Sequence, residues 1–193
     1  LNNTNFDLVN WVIDKMAKKI AQFLEGELLN GSTSKVSGII GSYDSTGMKV
    51  ALASKTAVTS DELIELQDKI SDAYQGNACW IMNKATRLAV RKLKDGQGNY
   101  LLQRDFSQEG AYTLLGKPVF CSDNMIALGT ANKSVIVYGD ISGLAVKESE
   151  TPEVQVLREK YATQHAIGVV MWGEVDAKVE NTQKIAVAVT PAS

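Results

Sequence analysis

Between Thr4 and Gly31 an apolar residue returns every three or four positions, at Phe6, Val9, Ile13, Met16, Ile20, Leu24 and Leu28. That spacing is the period of an amphipathic helix, and Asp14, Lys18, Gln22 and Glu25 mark its polar side. Thr4 with Asp7 three residues later fits a capping box, and Asn30-Gly31 closes the pattern. At about 1.5 Å per residue the helix would run roughly 40 Å, more than a small domain covers by itself. Its apolar stripe therefore requires a cover, supplied by the end of this chain or by a neighbouring molecule.

The chain has the material for a core: 193 residues, 45% hydrophobic, suffice for one domain or two small ones. Twenty Lys plus Arg against 22 Asp plus Glu leave a net charge of −2, so no global basic field draws in nucleic acid or an anionic membrane. Cys79 and Cys121 are far apart, no CxxC occurs, and His165 is the sole histidine, which argues against a Cys/His zinc site. Both cysteines are expected to be reduced, buried small hydrophobes in a reducing compartment. No apolar run reaches the 18 residues of a membrane span, and Leu1 opens neither a signal peptide nor an initiator methionine, so the chain is expected to be cut from something longer. Asn2, Asn30 and Asn132 stand in NxS/T triplets that matter only in a eukaryotic secretory setting.

Further along, residues 32–47 read as a connector, and Met48–Ala53 as a short strand. Thr59 with Glu62 opens a second capped helix, with Leu63, Leu66, Ile70 and Tyr74 on its apolar side and its end at Gly76. Ala78–Met82 suits a buried strand, Asn83 caps a helix from Lys84 to Leu93, and Asp95-Gly96-Gln97-Gly98 turns the chain into Tyr100-Leu101-Leu102. Residues 103–113 read as loop, and Leu114–Phe120 as an edge segment bent at Pro118. Ser134–Asp140 is a β-branched run stopped by Gly-Asp, followed by Leu144-Ala145-Val146. Glu153–Val156, Ala166–Trp172 and Lys184–Val189 complete a strand-rich final third. With helices early and strands late, the pattern favours an α+β fold over alternating βαβ units.

Catalytic constellations are not found. Gly110 to Lys117 misses the phosphate-loop spacing, with five residues between Gly110 and Gly116 and with Pro118 where a hydroxyl is needed. No serine sits in GxSxG, and His165 reads as a loop or strand histidine. Asp123, Asp140, Glu148 and Glu150 read as turn and surface carboxylates. Lys84, Arg87, Arg91, Lys92 and Lys94 crowd one helix, which reads first as a solvated face and second as a contact for nucleic acid or an acidic partner. No catalytic, cofactor-binding or metal-binding residue is assigned, and the chain reads as an assembly subunit rather than an enzyme.

Several phrases, in order, resemble the major capsid proteins of tailed bacteriophages, the HK97-like fold shared with encapsulin shells. The long helix ending Leu28-Leu29-Asn30-Gly31 looks like the spine helix of that family. Trp80-Ile81-Met82-Asn83 through Leu93-Lys94-Asp95 and Gly98-Asn99-Tyr100-Leu101 is similar to its strand-helix-turn segment. Leu115-Gly116-Lys117-Pro118-Val119 resembles its Leu-Gly-x-Pro-Val phrase, Val137-Tyr138-Gly139-Asp140 its run ending in Gly-Asp, and Val154–Val175 its long strands.

The resemblance implies a peripheral domain of residues 1–36 (spine helix) and 146–182 (long strands), an axial domain of 37–145, and a terminal strand, 183–193, rejoining the axial domain. It implies a shell subunit of a phage or prophage capsid, made in the bacterial host cytoplasm and forming hexamers and pentamers around DNA without sequence-specific contacts, cofactor or membrane. An encapsulin-like shell is the alternative; a small nucleic-acid-binding domain or an enzyme is more distant. The family's N-terminal arm and extended loop are absent, so this fragment is expected to be monomeric or weakly associated alone. The neighbourhoods of the family's inter-subunit crosslink hold Gln164 or His165 and Met171, and no such chemistry is expected.

Overall fold

The computed structural model of the chain describes residues 7–31, 36–42, 48–104 and 112–192. Helix α1 spans Leu8–Asn30. Thr4 lies outside the described residues, and the cap is Asp7, whose carboxylate accepts from the Asn10 backbone N–H, so Asp7 takes the role expected of Thr4. Ile39–Ser42 form a short helix, α2, inside what the sequence presents as a plain connector. Strand β1 (Lys49–Ala51) follows, then α3 (Ser60–Asp68), opened by the expected capping box of Thr59 and Glu62. That helix stops at Asp68, and a separate 3₁₀ turn, Asp72–Tyr74, carries the chain towards Gly76. Strand β2 (Cys79–Met82) runs into α4 (Lys84–Arg91), capped by the Asn83 side chain on the Ala85 N–H. The remaining strands are β3 (Leu102–Arg104), β4 (Tyr112–Leu114), β5 (Lys117–Cys121), β6 (Ser134–Gly139), β7 (Leu144–Leu157), β8 (Gly168–Val179) and β9 (Ile185–Val189).

Seven strands form one mixed sheet in the order β1-β9-β6-β2-β5-β4-β3, while β7 and β8 form their own two-stranded sheet. Pro118 therefore sits inside the large sheet, not at its edge. Leu115 and Gly116 take positive φ and make a two-residue hairpin turn between β4 and β5. Pro118 pairs with Thr113 on one side, and the parallel ladder to β2 begins one residue later, at Val119, so the missing N–H costs no bond there.

Strand alternation sends side chains to both faces of the large sheet. One face, with Trp80, Met82, Ile136, Tyr138, Ala186 and Ala188, is covered by Leu63, Leu66 and Ile70 from the α3 segment and Val90 of α4. Trp80 is fully buried, donates its indole N–H to the Leu114 carbonyl at 3.0 Å and lies 4.3 Å from the Tyr138 ring. The opposite face, with Val137, Ile185 and Val187, meets Leu29, Ile39 and Val179.

That second cluster is the joint between the long elements and the sheet. Gly31 donates to Glu27 O at 2.7 Å and Gly38 donates to Gly31 O at 3.2 Å, while Ser37 donates to Ala177 O of β8 at 3.1 Å. A Cβ on Gly38 would stand 2.5 Å from Glu27 O, and one on Gly31 would stand 2.3 Å from Val36 O. Only glycine allows backbones this close.

Two stability predictions follow from this packing. Leu66→Ala, at a fully buried position, is expected to cost about 2–5 kcal/mol. Gly38→Ala is expected to cost about 1–3 kcal/mol because the crowding atoms are backbone, whereas Gly96→Ala, with nothing within 4 Å, should stay within about 0.5 kcal/mol. Urea denaturation of the three variants reads both, and a neutral Gly38→Ala would show that the joint can open at no cost.

Candidate assembly surfaces

The residues that could have carried chemistry are brought apart rather than together. His165 lies exposed in the β7–β8 turn at φ +52. Asp140 is 3.9 Å from the Lys184 ammonium and accepts from the Ser142 N–H, which makes it a turn residue. Lys117 reaches the carbonyls of Gln75 and Gly76, a structural tie. Glu148 and Asp123 are exposed, and Gly110 falls outside the described residues. Among the described residues no group of His, Cys, Asp and Glu is arranged to hold a metal ion. No described helix is long and apolar enough to cross a membrane.

Cys79 is buried as expected, but Cys121 is exposed on β5. Both thiols are free. Position in the strand accounts for the difference, since Val119 is buried within β5 whereas Cys121 is the strand's last, exposed residue. Partial burial pushes the Cys121 thiol up, and the Arg87 guanidinium pulls against that shift. Burial also pushes Cys79 up, with the Asp140 charge adding to it.

What the structure does present is apolar surface without intramolecular cover. Of α1, only Leu29 is buried. Trp11 is 47% exposed and Phe23 63%, and Val9, Ile13, Met16, Ile20 and Leu24 are half-buried. The helix lies along β8 and α2. The late strands therefore supply part of the cover that the helical period requires. Beside the C-terminal half of α1 runs a groove of about 380 Å³ lined by Leu24, Leu28, Ile81, Phe120 and Leu144. The β7–β8 hairpin has one side of half-buried residues, Val154, Val156, Val169 and Met171, which pair across the strands, and another on which Val170 and Trp172 are exposed.

The basic residues of α4 do gather on one surface. Asn83 fixes the start of the helix by accepting from Ala85 N–H and donating to Met125 O at 2.8 Å. Arg87 and Arg91 lie over the Tyr112 ring at 4.8 and 5.5 Å, and Lys94 over the Tyr100 ring at 4.9 Å. Leu88, 54% exposed, stands in the middle of this face. The sequence reading passed over Leu88 and the acidic counterpart on α3, although Asp61, Glu65 and Asp68 recur there at helical spacing.

A family model described as the phage capsid family matches residues 1–190. Among solved structures, the capsid of an empty GTA particle computed with C5 symmetry is similar at TM-score 0.82 and 23% identity, over 100% of this chain and 69% of that one. The capsid of the native GTA particle gives 0.83 and 23%, over 100% and 68%. A chain of Microbacterium phage Oxtober96 gives 0.72 and 15%, over 98% and 67%. The SrpI encapsulin complex of Synechococcus elongatus PCC 7942 gives 0.65 and 16%, over 98% and 68%. No curated protein matches the sequence. The fold is the α+β, HK97-like fold that the phrases in the sequence resemble.

Two measurements probe these surfaces. In the unassembled protein Leu29→Ala is expected to cost about 2–5 kcal/mol and Ile13→Ala clearly less, because only the first is fully enclosed; equal losses would mean that the chain itself covers the whole stripe. A thiol reagent should titrate Cys121 in the native protein and reach Cys79 only on unfolding.

Proposed function

We propose how this chain is used from the fact that it belongs to the phage capsid family: it is a structural subunit of a capsid shell, and its two long, sparsely covered elements are the parts that neighbouring subunits complete. One observation carries this reading. A 23-residue helix and a hairpin of 14- and 12-residue strands are fastened to the sheet at one joint and leave apolar side chains uncovered beyond it. Elements of this kind bury their apolar sides against further copies.

In this arrangement residues 1–36 and 146–182 make a peripheral domain, and 37–145 an axial domain that the strand in 183–193 rejoins. The separate β7–β8 sheet and the placement of β9 between β1 and β6 support that division. Axial domains would meet around five-fold and six-fold axes, and peripheral domains at three-fold contacts. The GTA capsid particle, computed with C5 symmetry, is a relative in fold with that kind of symmetry. The shell encloses DNA without reading its sequence, in keeping with a net charge of −2. The subunit is made in the bacterial host cytoplasm and works by packing, with no catalytic step. The match to a phage capsid family favours a genome shell over an encapsulin-like cargo shell.

Sedimentation velocity and negative-stain electron microscopy of the full-length protein are expected to show pentameric and hexameric rings or closed shells as concentration rises. A monodisperse monomer at every concentration would overturn the reading. Denatured in detergent, assembled particles should run as single chains, because no crosslink joins them; a ladder of covalent multimers would contradict that.

A further inference from the structure

We propose that copies of this chain join head to tail within a ring, the acidic outer face of α3 in one copy seating against the basic face of α4 in the next. The inference rests on the shell reading and gives it a specific contact.

The two helices lie on the same face of the large sheet, since both supply residues to the cluster around Trp80 and Tyr138. They lean toward different sides of it, although Gln67 of α3 reaches the Leu115 carbonyl at 3.5 Å. Helix α3 sits over β1, β9 and β6, whereas α4 sits beside Tyr112 of β4. The outward side of α3 carries Asp61, Ile64, Glu65 and Asp68, with Asp72 just beyond and Lys69 its one exposed cation. The outward side of α4 carries Lys84, Leu88, Arg91 and Lys92, with Lys94 just beyond. Each face thus sets an apolar residue among charges of one sign, Ile64 at 52% and Leu88 at 54% exposure. Among the described residues no ion pair engages Asp61, Glu65, Asp68, Lys84, Arg91 or Lys92.

Within one copy, among the described residues, the two faces do not meet in an ion pair. Between copies they can, and an interface made of two different patches is heterologous, so repetition carries it around a ring. Space for the incoming helix exists on both sides of Leu88, in cavities of about 510 and 320 Å³, the first with Asp123 at its rim. The sheet's end strand β1 is three residues long, too short to join copies by strand pairing alone. Nucleic acid fits the α4 face less well. Arg87 and Arg91 lie over Tyr112, and Lys94 lies over Tyr100, which leaves fewer open ring faces of the kind single strands stack on.

The test uses charge reversal in the full-length protein: Arg91→Glu with Lys92→Glu on α4, and Glu65→Lys with Asp68→Lys on α3. Sedimentation velocity at low and high salt is expected to show self-association that weakens with salt, with each reversal alone loosening it by roughly tenfold or more. Both reversals in one chain should recover it, which a folding defect could not do; circular dichroism confirms that each variant is folded. Unchanged association after either reversal, or no recovery in the combined variant, overturns the proposal. Random-sequence duplex DNA bound by the unaltered protein and released by the α4 reversal, with association untouched, assigns the face to nucleic acid and likewise overturns it. If shells form regardless of the reversals, this contact falls and the shell reading stands; if the unaltered protein never associates, both fall.

Discussion

Everything long in this molecule hangs from the place where Gly31 and Gly38 bring two stretches of backbone into contact. The close approach lets α1 end, turn and deliver Ile39 into the same cluster as Leu29, Val179 and Ile185. The hydrogen bond from Ser37 to Ala177 adds β8 to that junction, and Glu180 N–H donates to Gly143 O at 2.9 Å near the base of the hairpin. A side chain at either glycine would push apart the helix, the connector and the hairpin together.

Beyond the joint the energetic balance changes. The seven-stranded sheet carries buried aliphatic and aromatic side chains on both faces, packing supplied by this chain alone. A two-stranded hairpin is marginal in water when nothing lies against it, and a helix draws most of its stability from a packed apolar side. For β7–β8 and α1 the intramolecular packing is concentrated near the joint, and Trp11, Phe23, Val170 and Trp172 remain exposed by more than a third. The sheet thus carries its own packing, while α1 and the hairpin keep large apolar side chains exposed.

Local chemistry was legible wherever it was self-contained. Thr59 with Glu62 and Asn83 with Ala85 are capped as the sequence presents them, because a cap depends only on residues three apart or fewer. The Ala78–Met82 run reads as a buried strand and Ser134–Asp140 as an unbroken β-branched run because their strands are buried on both sides, which removes the polar alternation. Misreadings arose where a distant partner decides. Pro118 looks like an edge residue until the register shows the β2 ladder starting at Val119. Cys121 looks like a buried thiol until its position at the end of β5 exposes it. The stripe on α1 announces that a cover is needed, but its period contains nothing about whose surface provides it; structure alone shows that enclosure stops at Leu29. Ile64 and Leu88 belong to ordinary helical patterns in the sequence, and only the structure shows them exposed among like charges.

Strand β9 lies between β1 and β6, near the middle of one half of the large sheet, although its residues follow β6 by about fifty positions and β1 by far more. On a ribosome that extends the chain from its first residue, β1 has no neighbour until Ile185–Val189 has left the exit tunnel. The α3 layer above it stays incomplete for the same interval. Helix α1 and the β7–β8 hairpin, by contrast, are already synthesised. The sticky parts of the subunit therefore exist before the part that holds them in register, and the interval sets a window in which nascent chains on one messenger could meet prematurely. Placing the closing strand after the hairpin makes completion of the sheet the step that ends that window.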